Sequence, residues 1–74
     1  MSISTEDKLV NLMSHWLARH ADDARLRAEL DDDSGLSAEQ AEAVRELRTA
    51  LDAGAERQEL EVAVRETLEA LAFG

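Results

Sequence analysis

Apolar residues recur at helical spacing in the first part of the chain. The repeat steps by three and four positions from Leu9 to His20, which places its members along one side of an α-helix. Ser4 precedes this segment and is a favourable N-cap residue, because its hydroxyl can accept a hydrogen bond from the first turn. The pattern predicts a first helix over residues 5–20. Its buried stripe is expected to consist of Leu9, Leu12, Met13, Trp16, Leu17 and His20.

The same repeat does not continue beyond His20, and we therefore expect a break there. A continuous helix would place Arg27 within the apolar stripe and turn Leu26 away from it. A new start at Asp22, another good N-cap residue, returns Leu26 to the buried side. The pattern predicts a short second helix over about residues 22–31.

The start of the third helix has the clearest signal in the chain. Residues 31–35 combine three aspartates with a glycine, which is typical of a loop. Ser37 and Gln40 then have the spacing of a capping box, and Gly54 suits the end of the helix. We expect this helix over residues 38–53. A narrow seam that permits close approach of another helix runs along it through Gln40, Val44, Leu47, Leu51 and Gly54.

The last segment repeats the spacing of the first and predicts a fourth helix over residues 56–72. Val62 and Phe73 lie away from its apolar stripe, on the far side of the helix. Fraying of the helix end or contact with a second core layer would explain them, and a dimer patch is the alternative. The stripe itself contains Leu60, Ala63, Val64, Thr67, Leu68 and Leu71.

These four segments predict an all-α fold. Short connections make neighbouring helices antiparallel, and 74 residues accommodate one domain. We expect a small antiparallel helical bundle of three long helices plus one short helix, with residues 1–74 as a single helical domain.

The composition makes the core of this bundle thin. The chain holds twenty large apolar side chains, and it has no cysteine, which excludes disulfides. Self-association would cover apolar surface that a small chain leaves exposed. The first hypothesis is therefore a non-enzymatic interaction module that forms a homo-oligomer, most simply a homodimer. Its candidate interface consists of Val44, Leu47, Leu51, Val62 and Phe73.

The net charge supports a second hypothesis. A formal charge of -9 and a pI near 4.5 should repel nucleic acid and anionic membranes, so a charge-steered partner would be basic. The alternative function is an acidic inhibitor or antitoxin-like protein that covers a basic partner surface, such as that of a nuclease. Its candidate acidic patch is Asp31, Asp32 and Asp33. No signal peptide is recognisable near the first residue, so we expect a cytoplasmic location.

No residue pattern predicts catalysis, a cofactor or a metal. His15 and His20 are five positions apart, roughly 140° around a helix, so they cannot share one ion. A calcium loop that starts at Asp31 would have Gly35 at its fifth position, whereas the turn glycine belongs at the sixth. No nucleophile and base arrangement and no glycine-rich phosphate loop is identifiable.

Two short segments resemble known families without carrying their full motifs. Residues 33–36 (DSGL) resemble the Asp-Ser-Leu phosphopantetheine site of acyl carrier proteins, which would imply a carrier role for Ser34, but Gly35 interrupts the motif. Residues 4–16 (STEDKLVNLMSHW) resemble a helix of the immunity proteins that neutralise nuclease colicins. That family binds its toxin through a Tyr-Tyr pair followed by Pro, and this chain contains neither Tyr nor Pro. Neither resemblance assigns a family.

Overall fold

The computed structural model describes residues 4–32 and 35–73, and within these ranges the secondary structure is entirely helical. This arrangement confirms the predicted all-α class and the small helical bundle. The helices are α1 (Thr5–Leu17), α2 (Asp23–Glu29), α3 (Ala38–Asp52) and α4 (Arg57–Phe73).

Three of these helices begin at the N-cap residues that the sequence predicts. The Ser4 hydroxyl accepts a hydrogen bond from the backbone N–H of Asp7 at 3.1 Å. Asp22 accepts one from the backbone N–H of Arg25 at 2.8 Å. At α3 the capping box is complete, because Ser37 Oγ accepts from Gln40 N at 3.2 Å and Gln40 Oε1 accepts from Ser37 N at 2.9 Å. These caps satisfy backbone donors that a helix start leaves open.

Helix α1 ends at Leu17, which is earlier than the predicted boundary at residue 20. Arg19 adopts a left-handed backbone conformation with φ of 66°. Its N–H donates to Trp16 O at 3.0 Å, and His20 N donates to His15 O at 2.8 Å, which together form a Schellman motif. Because the chain reverses at this motif, His20 is exposed. The prediction that His20 belongs to the buried stripe is therefore wrong.

Helix α3 ends in the same motif with the residue that the sequence predicts. Gly54 has φ of 73°, its N–H donates to Leu51 O at 3.2 Å, and Ala55 N donates to Ala50 O at 3.1 Å. Glycine adopts this conformation at no steric cost. The turn that follows leads directly into α4.

Hydrogen bonds between helices show that α4 runs antiparallel to α3. Near the start of α3, Gln40 Nε2 donates to the carbonyl of Leu71 at the end of α4, at 3.3 Å. The Thr67 hydroxyl lies 3.4 Å from the carbonyl of Ala43, about one helical turn away from that end on both helices. The order of contacts along the two helices is therefore reversed, as short connections predict.

One hydrophobic core joins all four helices. Gln40 and Thr67 are the polar residues buried beside it, and both are hydrogen-bonded. Within the described residues, no buried side-chain nitrogen or oxygen lacks a partner. A single copy of the chain thus closes its own core. The buried apolar residues are Leu9, Leu12, Met13, Trp16, Leu26, Leu30, Val44, Leu47, Leu60, Val64 and Leu71.

Trp16 joins the end of α1 to the starts of α2 and α4. Its side chain is fully buried, and its indole Nε1 donates to Asp23 Oδ1 at 2.7 Å. The Arg57 guanidinium lies 3.8 Å from the ring centroid, which is a cation–π contact, and donates to the Trp16 carbonyl at 3.0 Å. Arg57 also pairs with Glu61 at 3.1 Å. The hydrophobic pattern predicts a buried residue at position 16 but does not reveal these polar partners.

Candidate functional site

The structure separates the residues of the candidate homodimer interface. Val44 and Leu47 are 2% and 0% exposed in the single chain, so a second chain cannot reach their side chains. Leu51 is half-buried and packs against the same core. This part of the predicted interface is corrected: the seam of α3 receives α4 of the same chain.

Val62 and Phe73 are the large apolar residues that remain exposed within the described chain, at 53% and 89%. They are eleven positions apart on α4, almost exactly three turns, and therefore lie on one side of that helix. Together they expose about 250 Å2 if a phenylalanine side chain buries about 200 Å2. The largest apolar patch of an ordinary monomer is about 300–600 Å2. The apolar area by itself is thus a weak reason for dimerisation.

The candidate acidic patch is only partly a free negative surface. Asp31 is exposed, but its carboxylate lies 2.7 Å from Arg27 Nη1 and 3.6 Å from Arg48 Nη1. Asp32 is exposed as well, and it also has an interaction partner. Asp33, together with Ser34, lies outside the described residues. The aspartates that the sequence emphasises therefore contribute less unbalanced charge than their number indicates.

Arg27 connects this loop to the end of α3. Its Nε donates to Asp52 Oδ1 at 2.7 Å, while its Nη1 donates to Asp31. These hydrogen bonds, with Asp52 the stronger influence, raise the pKa of Arg27 above its ordinary value. The same contact lowers the pKa of Asp52. Because Asp31 and Asp52 are exposed and Arg27 is only half-buried, we expect this network to contribute little to the stability of the core.

A more strongly charged surface lies where α3 and α4 pack together. Ala43 on α3 meets Thr67 on α4 at the contact between the helices. Residues three or four positions from such contact residues lie beside them on the same helix side. On α3, Glu39 and Glu46 occupy such positions beside Ala43. On α4 the glutamates lie on the exposed side of the helix, together with Val62 and Phe73. We call this surface the outer α3–α4 face; it consists of Glu39, Glu42, Glu46, Glu59, Glu66 and Glu69 together with Val62 and Phe73.

The carboxylates of this face are exposed, and none of them forms an ion pair with a residue in the described ranges. The predicted acidic patch, residues 31–33, includes none of these glutamates, among them the three of α3, Glu39, Glu42 and Glu46. These three glutamates are three and four positions apart, a spacing that indicates a charged side of a helix. Only the packing of α3 on α4 brings the two rows onto one surface.

The described surface includes shallow grooves on two sides of the bundle. One lies between α1 and α2 and has a volume of about 220 Å3, and the other lies on the exposed side of α3. No group of three or more His, Cys, Asp or Glu residues in the described part of the chain is arranged to hold a metal ion. Among the described helices, none combines the length and apolar character needed to cross a membrane.

Comparison of the chain with protein-family models, with curated proteins and with solved structures finds no match. The functional proposals below consequently depend on the geometry and charge of this chain alone.

Proposed function

We propose that this chain is a non-enzymatic protein-binding module whose outer α3–α4 face covers a basic surface of a partner protein. The observation that carries the proposal is the row of exposed carboxylates on both helices of that face, none of which has an ion pair within the described ranges. Six glutamates on one side of a chain of net charge -9 create a negative field that attracts a basic surface and speeds its association.

The dimensions of the face suit such a contact. Helix α4 has 17 residues, and its length is therefore about 25 Å. Two helices side by side span about 20 Å, so the face offers on the order of 500 Å2. A standard interface covers about 800 Å2 on each partner. The face is thus large enough for the centre of a modest interface.

Val62 and Phe73 supply the apolar part of the same contact. Charged residues by themselves give fast association but little net affinity, because exposed ion pairs contribute only about 0.2–1 kcal/mol each. Aromatic side chains that enter a pocket on a partner dominate many interfaces. Phe73, at 89% exposed, is suited to this role, with the glutamates as its polar surround.

Self-association through the same face is the second candidate function. It is favoured by the exposure of Phe73 and Val62 on one side of α4. It is opposed by charge, since pairing two copies would bring the glutamates of both faces together. Like charges across an interface are destabilising. We therefore rank a basic partner ahead of a homodimer.

The experiment compares two variants of equal net charge. Glu46→Gln with Glu66→Gln removes two carboxylates of the face, and Asp7→Asn with Glu56→Gln removes two exposed carboxylates elsewhere. Each immobilised protein is used to capture partners, which are identified, and the affinity of the main partner is measured at several salt concentrations.

The proposal expects a basic partner whose affinity falls steeply with salt and is about tenfold weaker for the first variant than for the second. Equal binding to both variants, or a partner that is not basic, contradicts it. A homodimer instead predicts that sedimentation at high salt, where repulsion is screened, shows a larger mass that Phe73→Ser abolishes.

A further inference from the structure

The groove between α1 and α2 is chemically unlike the rest of the surface. Its volume is about 220 Å3, comparable to that of a small ligand, and it is open to solvent. In a chain with more than twice as many acidic as basic residues, it collects basic and amide side chains. It is lined by Lys8, Asn11, Leu12, His15, Arg25 and Glu29.

Helix geometry explains how these side chains converge. Lys8, Leu12 and His15 follow the spacing i, i+4 and i+7, so they lie along the side of α1 that meets α2. Arg25 and Glu29 are four positions apart on α2 and face the same groove. Leu12 is buried and forms an apolar floor, while the polar groups lie around it.

The two permanent cations of the groove have no ion pair within the described residues, although the carboxylate of Glu29 lines the same groove. Neither the Lys8 ammonium nor the Arg25 guanidinium has a hydrogen bond or an ion pair with another residue of the described ranges. By contrast, Arg27, Arg48 and Arg57 all pair with carboxylates. Two unpaired cations beside a histidine and an amide form a set of converging donors.

We propose that this groove binds a small organic anion that carries a phosphate or carboxylate group and a hydroxyl or ammonium group. Arg25 can donate two parallel hydrogen bonds to the anionic group, and Lys8 adds a second positive charge. Asn11 has an amide donor, and the His15 ring carries an N–H in either protonation state.

The carboxylate of Glu29 is the reason why we expect the ligand to carry a hydroxyl or ammonium group besides its anionic group. A carboxylate at the edge of an anion site repels a ligand that is only an anion, but it accepts a hydrogen bond from a hydroxyl or ammonium group. An open groove of this volume encloses a ligand only in part. We therefore expect dissociation constants on the order of 1 mM, which correspond to about 4 kcal/mol of binding free energy.

The test is a titration of the isotopically labelled chain followed by NMR, at constant ionic strength. The probes are inorganic phosphate, acetate and glycerol phosphate, which distinguish the two anionic groups and the contribution of a hydroxyl. Lys8→Gln and Arg25→Gln remove one groove cation each. Arg45→Gln is the matched control, because Arg45 is also an exposed arginine without an ion pair in the described ranges but lies on α3.

The proposal expects saturable shifts of the groove residues with phosphate or acetate and tighter binding of glycerol phosphate. Each groove variant should weaken binding at least fivefold, and the control variant should leave it unchanged. Lys8→Arg, which keeps the charge, should restore most of the affinity. Shifts that do not saturate, or an equal loss in the Arg45→Gln variant, would overturn the proposal. The result of this titration is independent of the partner-capture experiment, because that experiment tests α3 and α4, whereas the groove lies between α1 and α2.

Discussion

Replacing Arg19 by glycine should stabilise the protein. Arg19 has φ of 66°, a left-handed conformation that an L side chain adopts at a cost. Its exposed side chain forms no hydrogen bond or ion pair with another described residue that could repay this cost. The equivalent position of the second Schellman motif is already glycine, at Gly54 with φ of 73°. The change therefore makes the end of α1 like the end of α3.

The expected magnitude is the difference between two opposing terms. Relief of the left-handed conformation contributes about 1–2 kcal/mol. The greater freedom of glycine in the unfolded chain removes about 0.5–1 kcal/mol of this gain. The free energy of unfolding should rise by about 0.5–1 kcal/mol, which for a chain of this size raises the melting temperature by about 3–6 °C.

Urea and thermal unfolding followed by circular dichroism measure this change, with Trp16 fluorescence as a second probe. Ala18→Gly is the control, because Ala18 precedes Arg19 with φ of -81°, where glycine brings no relief. That variant should be destabilised by about 0.5–1 kcal/mol. In the reverse direction, Gly54→Ala should also destabilise, although no atom lies within 4 Å of the added Cβ. The reasoning is refuted if Arg19→Gly destabilises the protein as much as Ala18→Gly does.

Three further perturbations test the core and its polar partners. Leu47→Ala should lower the free energy of unfolding by about 2–5 kcal/mol, and by the same amount at low and high protein concentration, because Leu47 is buried within one chain. A loss that depends on protein concentration would indicate that Leu47 lies in an interface between chains. Asp23→Ala removes the acceptor of the Trp16 indole N–H, so it should lower the free energy of unfolding by about 1–3 kcal/mol and shift the fluorescence emission of Trp16. Asp23→Asn keeps an oxygen acceptor and should lower the free energy of unfolding less. The hydrogen bond from Arg27 lowers the pKa of Asp52, so the ionised Asp52 stabilises the fold above its ordinary pKa, and this stability is lost as the pH falls through the lowered pKa. In the Asp52→Asn variant, the free energy of unfolding should therefore depend less on pH below roughly pH 4. An unchanged pH dependence would contradict this.

The candidate site could be predicted from the sequence only in part. The exposure of Val62 and Phe73 follows from their position off the apolar stripe of α4, and the structure agrees. The sequence predicts that Val44 and Leu47 contact another chain. The spacing of apolar residues along α3 is the same, however, whether the helix that packs against it belongs to this chain or to another. Asp31 shows the converse: its ion pair with Arg27 is a local i,i+4 contact, but its contact with Arg48 depends on how α3 packs beside the loop.

The amino-acid pattern by itself determined the number of helices, their order and most of their starting points, because apolar spacing and capping residues are local properties. Only the structure showed that α1 ends at Leu17 before a left-handed Arg19, which partners Trp16 has, and how the glutamates of α3 and α4 are grouped. These features require atoms that are far apart along the chain, or a backbone conformation that arginine seldom adopts. The spacing of apolar residues contains no information about either.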